Sequence, residues 1–452
     1  MVMPGQGARL TMTAQLGWAF GQFAIASHMA IISIYLLFYL TEAHHVPAAL
    51  AGIVLLVPRI WNVITDPLMG AISDRTRSRW GRRRPYLLVG GLVWGLSFVA
   101  MFAMPEFAEP RTAAIVFCVL FLLVNTGVSL YHVPYSAMAP EMTGHYHQRL
   151  RLVGYKEMAA RMAVLLAIAV SPVLISLGST PLEGYRFVGI AFGGLILLSG
   201  VVAFATTAHA PAIAFQPQKM SFREQLATLR QNRPLAVLSG AYLFSNIASA
   251  AFSGMLIYYI TVVSGQSPAI MGVLYPLNAL TSVAMTPVWA KIASRIGKRE
   301  ACLAAYAGLV LCWLTVIVLP AGQVWMLYPL MVVFGAFNAG GELLPNAMVP
   351  DTVEYDEMIS GTRREGTIYG AWVFIQQTGM ALGSFVVSLV LAWIGYQSVD
   401  TANTEVATGI RYGLALVPAG FVLLSFLLVR GYALSAGEFS RIQAVLATRR
   451  QA

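Results

Sequence analysis

Asn62, Thr65 and Asp66 stand at i, i+3 and i+4 in an otherwise apolar stretch, so a helix would carry all three on one face. They offer one amide oxygen, one hydroxyl and one carboxylate, and hard cations take oxygen ligands of this kind. A carboxylate at membrane depth is costly, and its presence there points to a functional site by default. The other use of that charge is pairing with Arg59, but Arg59 lies seven positions away, beyond the usual i+3 or i+4 reach. The stretch ends in a dense basic loop holding Asp74, Arg75, Arg77, Arg79, Arg82, Arg83 and Arg84. A basic run directly after an apolar segment fixes which side of a membrane it faces.

The elements that must position these groups follow from composition. Of 452 residues, 58% are hydrophobic and only 11% are charged, whereas soluble domains carry about 25% charge. Such a chain could not cover a water-facing surface, so we expect an all-α polytopic membrane protein. The net charge of +10 sits in short loops between apolar spans and reads as topology rather than as a nucleic-acid surface. Cys118, Cys302 and Cys312 all fall inside apolar spans, without metal-ligand spacing, and read as packing residues. No nucleophile–base pair suggests an enzyme, no phosphate-loop pattern follows a strand, and no cleavable leader is evident.

A helix needs about 20 apolar residues to cross the hydrocarbon core. Windows of that size give twelve spans, near 14–41, 47–73, 86–104, 112–138, 153–178, 187–208, 235–264, 268–294, 300–320, 324–349, 367–396 and 409–431. The even-numbered loops carry the basic residues, among them Arg149, Arg151, Arg295, Lys298, Arg299, Arg363 and Arg364, so both termini are expected to be cytoplasmic. The long polar connection with Lys219, Arg223, Arg230 and Arg233 splits the spans six and six. We therefore divide the chain into an N-terminal half (1–209), a central loop (210–234), a C-terminal half (235–432) and a tail (433–452).

The halves echo each other. Ala137–Glu141 (AMAPE) recurs 210 positions later as Ala347–Asp351 (AMVPD), and the basic loop after span two resembles the one after span eight. Two six-span halves of this kind are the parallel-repeat arrangement of the major facilitator superfamily, with substrate bound at the repeat interface near mid-membrane. The same offset pairs His132 with Glu342, two ionisable groups expected to face an interior cavity from opposite walls. His132 reads equally as a core imidazole bonded to a carbonyl. Arg161 fits either a substrate-facing cation or a partner for Asp66, and His28 either a substrate contact or a packed residue. Lys156 and Glu157 would snorkel toward the interface.

The chain resembles the glycoside–pentoside–hexuronide:cation symporters, the family of the melibiose permease, over nearly its whole length. The resemblance rests on RIWNVITDPLMG…TRSRWGRRRP from Arg59, on LYHVPYSAMAPEMT from Leu130 and on VPDTVEYDEMISGTRREGTIYG from Val349. TDPL and HVPYSA are also similar to the sodium-dependent lysophosphatidylcholine symporter of the same fold. The resemblance implies a cation site on Asn62, Thr65, Asp66 and Ser129, and a gating loop around Asp74, Arg75, Arg82 and Arg83. It also implies departures. The melibiose permease has a second aspartate where Asn62 stands, and its sugar-binding aspartates align with Ala26 and His132. Its stacking tryptophan aligns with Ser136, its span-eleven lysine with Gln377, and an aromatic with Glu342. A pocket rewritten around His132 and Glu342 is expected, with Tyr131, Tyr135, Asn246, Asn278, Asn338, Trp372, Gln376 and Gln377 as further lining.

The expected function is cation-coupled symport of a sugar, glycoside or related organic solute by alternating access. The chain would act as a monomer in the plasma (inner) membrane, with Na+ or H+ as coupling ion, no cofactor and no nucleic-acid partner. A lysophospholipid symporter of the same fold, or a non-transporting membrane receptor, are the competing expectations.

Overall fold

The computed structural model of this chain describes residues 10–143, 146–210, 231–320, 322–361, 364–399, 403–434, 437–439, 441–443 and 446. The side chains at 59, 140, 146, 147, 149, 150, 366 and 367 are outside that description. The readings placed on the side chains of Arg59 and Arg149, on Lys219, Arg223 and Arg230, and on Arg363 therefore lie outside the described residues.

Lipid offers no hydrogen bonds to the backbone, so an apolar spanning segment must satisfy its own, and helices do so. Twelve helices are long and apolar enough to cross a membrane, as the composition predicts, and the described residues contain no strand. In the first half they are α1 (Met12–Phe38), α2 (Ala48–Arg75), α3 (Arg84–Phe102), α4 (Pro110–Met142), α5 (Tyr146–Ser176) and α6 (Pro181–Thr206). In the second they are α7 (Arg233–Tyr258), α8 (Met271–Ile296), α9 (Lys298–Val318), α10 (Leu327–Ser360), α11 (Glu365–Trp393) and α12 (Thr404–Arg430). Side-chain caps fix several starts. Thr180 accepts from the Glu183 N–H at 3.2 Å, and Asn403 accepts from the Val406 N–H at 2.9 Å.

Helices α5, α6 and α12 begin before their hydropathy windows, at Tyr146, Pro181 and Thr404. At their C-terminal ends α4 and α10 outrun the windows, which stop at 138 and 349 while the helices continue to Met142 and Ser360. The AMAPE and AMVPD motifs thus lie inside helices. Glu141 and Asp351 lower local hydropathy, but each carboxylate is held by a basic side chain (below), so the backbone ladder continues through them.

The chain forms two compact units, one of Met1–Pro217 with Ala269–Gly272, the other of Gln218–Pro268 with Val273–Ala452. Within the first, α1 packs on α5 and α6, α3 on α4 and α6, and α2 on α4. Within the second, α7 packs on α11 and α12, and α9 on α10 and α12. The pairings of α1 with α5 and α6 and of α3 with α4 and α6 recur in the second unit as those of α7 with α11 and α12 and of α9 with α10 and α12, as the sequence repeat implies. Close approach of the helices that carry polar groups depends on missing side chains. A Cβ on Gly127 of α4 would lie 2.5 Å from the Trp94 backbone nitrogen of α3. One on Gly335 of α10 would lie 2.5 Å from the Asn278 carbonyl of α8. Small residues at helix contacts are how membrane bundles pack tightly.

Candidate functional site

In the first unit α2 and α4 run side by side in the same direction, joined by polar contacts at successive turns. Trp61 Nε1 donates to Thr126 Oγ1 at 2.9 Å. One residue on, Asn62 Nδ2 donates to Asn125 Oδ1 at 3.1 Å. A turn further, Ser129 Oγ donates to Asp66 Oδ1 at 2.5 Å and lies 2.9 Å from Thr65 Oγ1. Thr65, Asp66 and Ser129 therefore meet, and Asn62, one turn earlier on the same face of α2, joins the same pair of helices through Asn125. Thr65 and Ser129 are buried, and Asn62 and Asp66 are half-buried. The Asn62 Oδ1 oxygen is buried without a hydrogen-bond partner. An oxygen in that condition costs free energy unless something fills it. Carboxylate and hydroxyl oxygens in contact, with an unsatisfied amide oxygen on the same face of α2, suit a small hard cation. Pro67 follows Asp66 and has no N–H to return to the carbonyl of Val63, which adds backbone polarity beside the cluster.

Asn125 belongs to this cluster and was not singled out from the sequence. It is buried, and its Nδ2 donates to the Phe121 carbonyl at 2.8 Å, which turns its Oδ1 toward Asn62. Its spacing of four from Ser129 was the available signal.

In the second unit a cavity of about 160 Å³ lies among α7, α9, α10, α11 and α12. Helix α10 contributes Asn338, Glu342 and Asn346, which share a face at successive turns. Asn338 Nδ2 donates to Glu342 Oε1 at 3.2 Å, and Asn346 Nδ2 to the Glu342 carbonyl at 2.7 Å. From α7 come Tyr242, Ser245, Asn246 and Ser249, and from α11 Gln376. Asn246 Nδ2 is committed to the Tyr242 carbonyl at 2.7 Å, which leaves its oxygen to the cavity side. Trp372 supports the wall from behind. Its ring stacks on Tyr242 at 4.0 Å and its Nε1 donates to Asn346 Oδ1 at 2.9 Å. Tyr242, Ser245, Ser249 and Asn346 were missed in the sequence. The i, i+4, i+8 run of Asn338, Glu342 and Asn346 was the signal that pointed to the last. Gln377 neighbours Gln376 but does not line the cavity, and nor does Asn278, whose Nδ2 is buried without a partner.

Three of the expected substrate contacts lie within the packing of the first unit. His28 is buried against α3, where its Nδ1 accepts from Trp94 Nε1 at 3.3 Å and its ring meets Trp94 edge-on at 5.2 Å. Tyr131 and Tyr135 are fully buried, and their hydroxyls donate to the carbonyls of Gly21 and Trp18 at 3.2 and 2.9 Å. Tyr135 also stacks on Trp18 at 4.7 Å. These side chains bind α4 and α3 to α1 and have no surface left for a solute. His132, one residue from Tyr131, is half-buried, and no hydrogen bond ties it to a carbonyl among the described residues. Arg161 is exposed, and no ion pair joins it to Asp66 among the described residues. Lys156 lies 3.7 Å from Glu157.

The basic loop is stapled to α4. Arg83 is buried and donates to Glu141 at 2.8 Å, to Asp74 at 2.8 Å and to Ser73 at 3.1 Å. Arg82 donates to the same Glu141 oxygen at 2.6 Å, while Arg75 is exposed. Arg84 donates to the Phe204 carbonyl at the end of α6, at 2.7 Å. The second unit repeats the device. Lys298 holds both oxygens of Asp351 at 2.7 and 2.8 Å, and Arg299 donates to the Val429 and Arg430 carbonyls at the end of α12. In each unit the first cation of a pair takes the acid of the repeated motif, and the second takes helix C-terminal carbonyls, where positive charge is favoured.

A family model described as MFS/sugar transport protein matches residues 17–436. A glucuronide carrier protein homolog of Escherichia coli is 28% identical over 96% of this chain and 95% of its own. An uncharacterized symporter of Synechocystis sp. is also 28% identical, over 98% of each chain. Among solved structures, a bacterial homolog of the human lysosomal transporter Spinster superposes with a TM-score of 0.66 at 13% identity, covering 93% of this chain and 97% of that one. That likeness speaks for the fold alone.

Proposed function

This chain belongs to the MFS/sugar transport protein family, and from that premise we propose that it is a cation-coupled symporter for a sugar or glycoside. It is an integral membrane transporter, and we place it in the plasma (inner) membrane with both termini cytoplasmic, on the distribution of basic loops. The observation that carries the proposal is the oxygen cluster on α2 and α4, with Ser129 bonded to Asp66 and Asn62 Oδ1 left unsatisfied. A proton would need Asp66 alone. An unsatisfied amide oxygen one helical turn from the carboxylate favours Na+ as the coupling ion over H+. The names of the relatives, a glucuronide carrier homolog and a symporter, support the same class.

The cavity in the second unit supports a sugar as cargo. Amides and hydroxyls dominate its wall, and planar amide and carboxylate groups can each engage two neighbouring hydroxyls of a sugar. No cationic side chain lines it among the described residues. At about 160 Å³ it would take part of a monosaccharide, smaller than the 300–1,000 Å³ of typical ligand sites. Its polar lining does not suit the acyl chain of a lysophospholipid.

In proteoliposomes, Asp66→Asn should retain sugar counterflow and lose accumulation against a gradient. Undiminished uphill uptake by that variant would remove Asp66 from the coupling site. Absence of counterflow in the unaltered protein would favour a receptor.

A further inference from the structure

The turn between α8 and α9, together with the chain after α12, encloses a second cavity of about 530 Å³ that the transport reading does not use. Its volume falls within the usual range for small-molecule sites. Three cations line it, Arg295, Lys298 and Arg299, against the carboxylates of Glu300 and Asp351. Both Asp351 oxygens are held by Lys298, and Glu300 lies 3.2 Å from Arg299. Arg295 is exposed and has no ion pair among the described residues, so the wall keeps one uncompensated positive charge.

Two further features point the same way. Tyr432 is 3% exposed and lines this cavity, and its hydroxyl has no hydrogen-bond partner. Burial and the nearby Asp351 charge hold that phenol protonated, so it remains a donor. Helix α9 also begins here, at Gly297, without a side-chain cap for its first N–H groups. The corresponding turn of the first unit is closed instead, since Arg82 and Arg83 both go to Glu141 and Arg84 to the Phe204 carbonyl.

We propose that this cavity binds the phosphate group of an anionic ligand, with Arg295 and the Tyr432 hydroxyl as donors at the α9 N-terminus. Guanidinium and phosphate pair through charge-assisted hydrogen bonds, and helix N-termini favour anions. Leu434 and Phe439 add apolar surface to the lining, suited to a glycerol or acyl portion. The phosphate could come from a lipid headgroup or from a soluble ester.

The test is the melting temperature of the full chain in nanodiscs, with total ionic strength held constant by NaCl. Phosphatidylcholine discs are compared with discs titrated with phosphatidylglycerol, and with phosphatidylcholine discs titrated with glycerol 3-phosphate. Stabilisation by phosphatidylglycerol alone identifies a lipid headgroup, and stabilisation by glycerol 3-phosphate identifies a soluble ester. In either case Arg295→Gln and Tyr432→Phe should raise the half-saturating amount, by roughly tenfold for the arginine. Arg77→Gln, which removes an exposed charge from the first unit's loop, should leave it unchanged. No stabilisation by either probe overturns the proposal. So does an unchanged half-saturation in Arg295→Gln, or an equal loss in Arg77→Gln, which would reduce the effect to diffuse attraction.

Discussion

Ser129 is the residue that turns three separate oxygens into one cluster. It donates to Asp66 and sits against Thr65, so it sets where the carboxylate points. Hydrogen bonds to charged groups contribute about 1.5–3 kcal/mol, and about 1.4 kcal/mol is a factor of ten in affinity. Ser129→Ala should therefore raise the Na+ concentration for half-maximal uptake by roughly tenfold, read from transport rate against Na+. A second residue outside the spans governs stability rather than transport. His44 is buried beside Tyr39, whose hydroxyl lies 2.8 Å from its Nε2. Burial, aided by the charge of His45, lowers its pKa from 6.5 to about 4. The folded chain then keeps His44 neutral while the unfolded chain takes up a proton below pH 6.5. Its contribution is fully present above pH 6.5 and is lost as pH falls toward 4, at up to about 1.4 kcal/mol per pH unit. Melting temperature should drop across that window, and His44→Gln should flatten the drop.

The staples at the ends of α4 and α10 look alike but differ in burial. Arg83 is 4% exposed and joins two carboxylates, whereas Lys298 is 41% exposed beside an open cavity. Arg83→Met would leave Asp74 and Glu141 short of a buried partner, a loss of about 3 kcal/mol. Lys298→Met should lower the melting temperature less, because water can enter and solvate Asp351. An equal drop in both variants would mean that burial does not set the difference. These elements also mark how far the sequence could be read. Span number and the 210-residue echo were legible, because length, hydropathy and the AMAPE and AMVPD motifs are local properties. The ends of α4 and α10 were not, because hydropathy falls at Glu141 and Asp351 while neutralising partners distant in sequence keep the helix going. The α2 face of Asn62, Thr65 and Asp66 was legible from three polar groups at helical spacing, whereas Asn125 had only its spacing of four from Ser129 to mark it. The packing of His28, Tyr131 and Tyr135 against neighbouring helices was not legible either, because Ser27, His132 and Ser136 stand beside them and polar neighbours along the chain do not show which side chains face another helix.

Each unit carries one kind of chemistry: a carboxylate and hydroxyl cluster on α2 and α4, and amides with Glu342 around a cavity among α7, α9, α10, α11 and α12. If the sugar is held at that cavity, Glu342→Gln should raise the half-saturating sugar concentration tenfold or more while the Na+ dependence of stability persists. Loss of both together would show that the two sites are not separable. Symport requires more than two sites, since each ligand must change the other's affinity by the same factor, typically 5–150-fold. The most direct measurement is sugar affinity with and without Na+, in the unaltered protein and in Asp66→Asn. The account predicts that Na+ tightens sugar binding at least fivefold in the former, and that sugar tightens Na+ binding by the same factor. It predicts that Asp66→Asn binds sugar with one affinity whether or not Na+ is present. Equal affinities in the unaltered protein, or a Na+ effect that survives in Asp66→Asn, would contradict it.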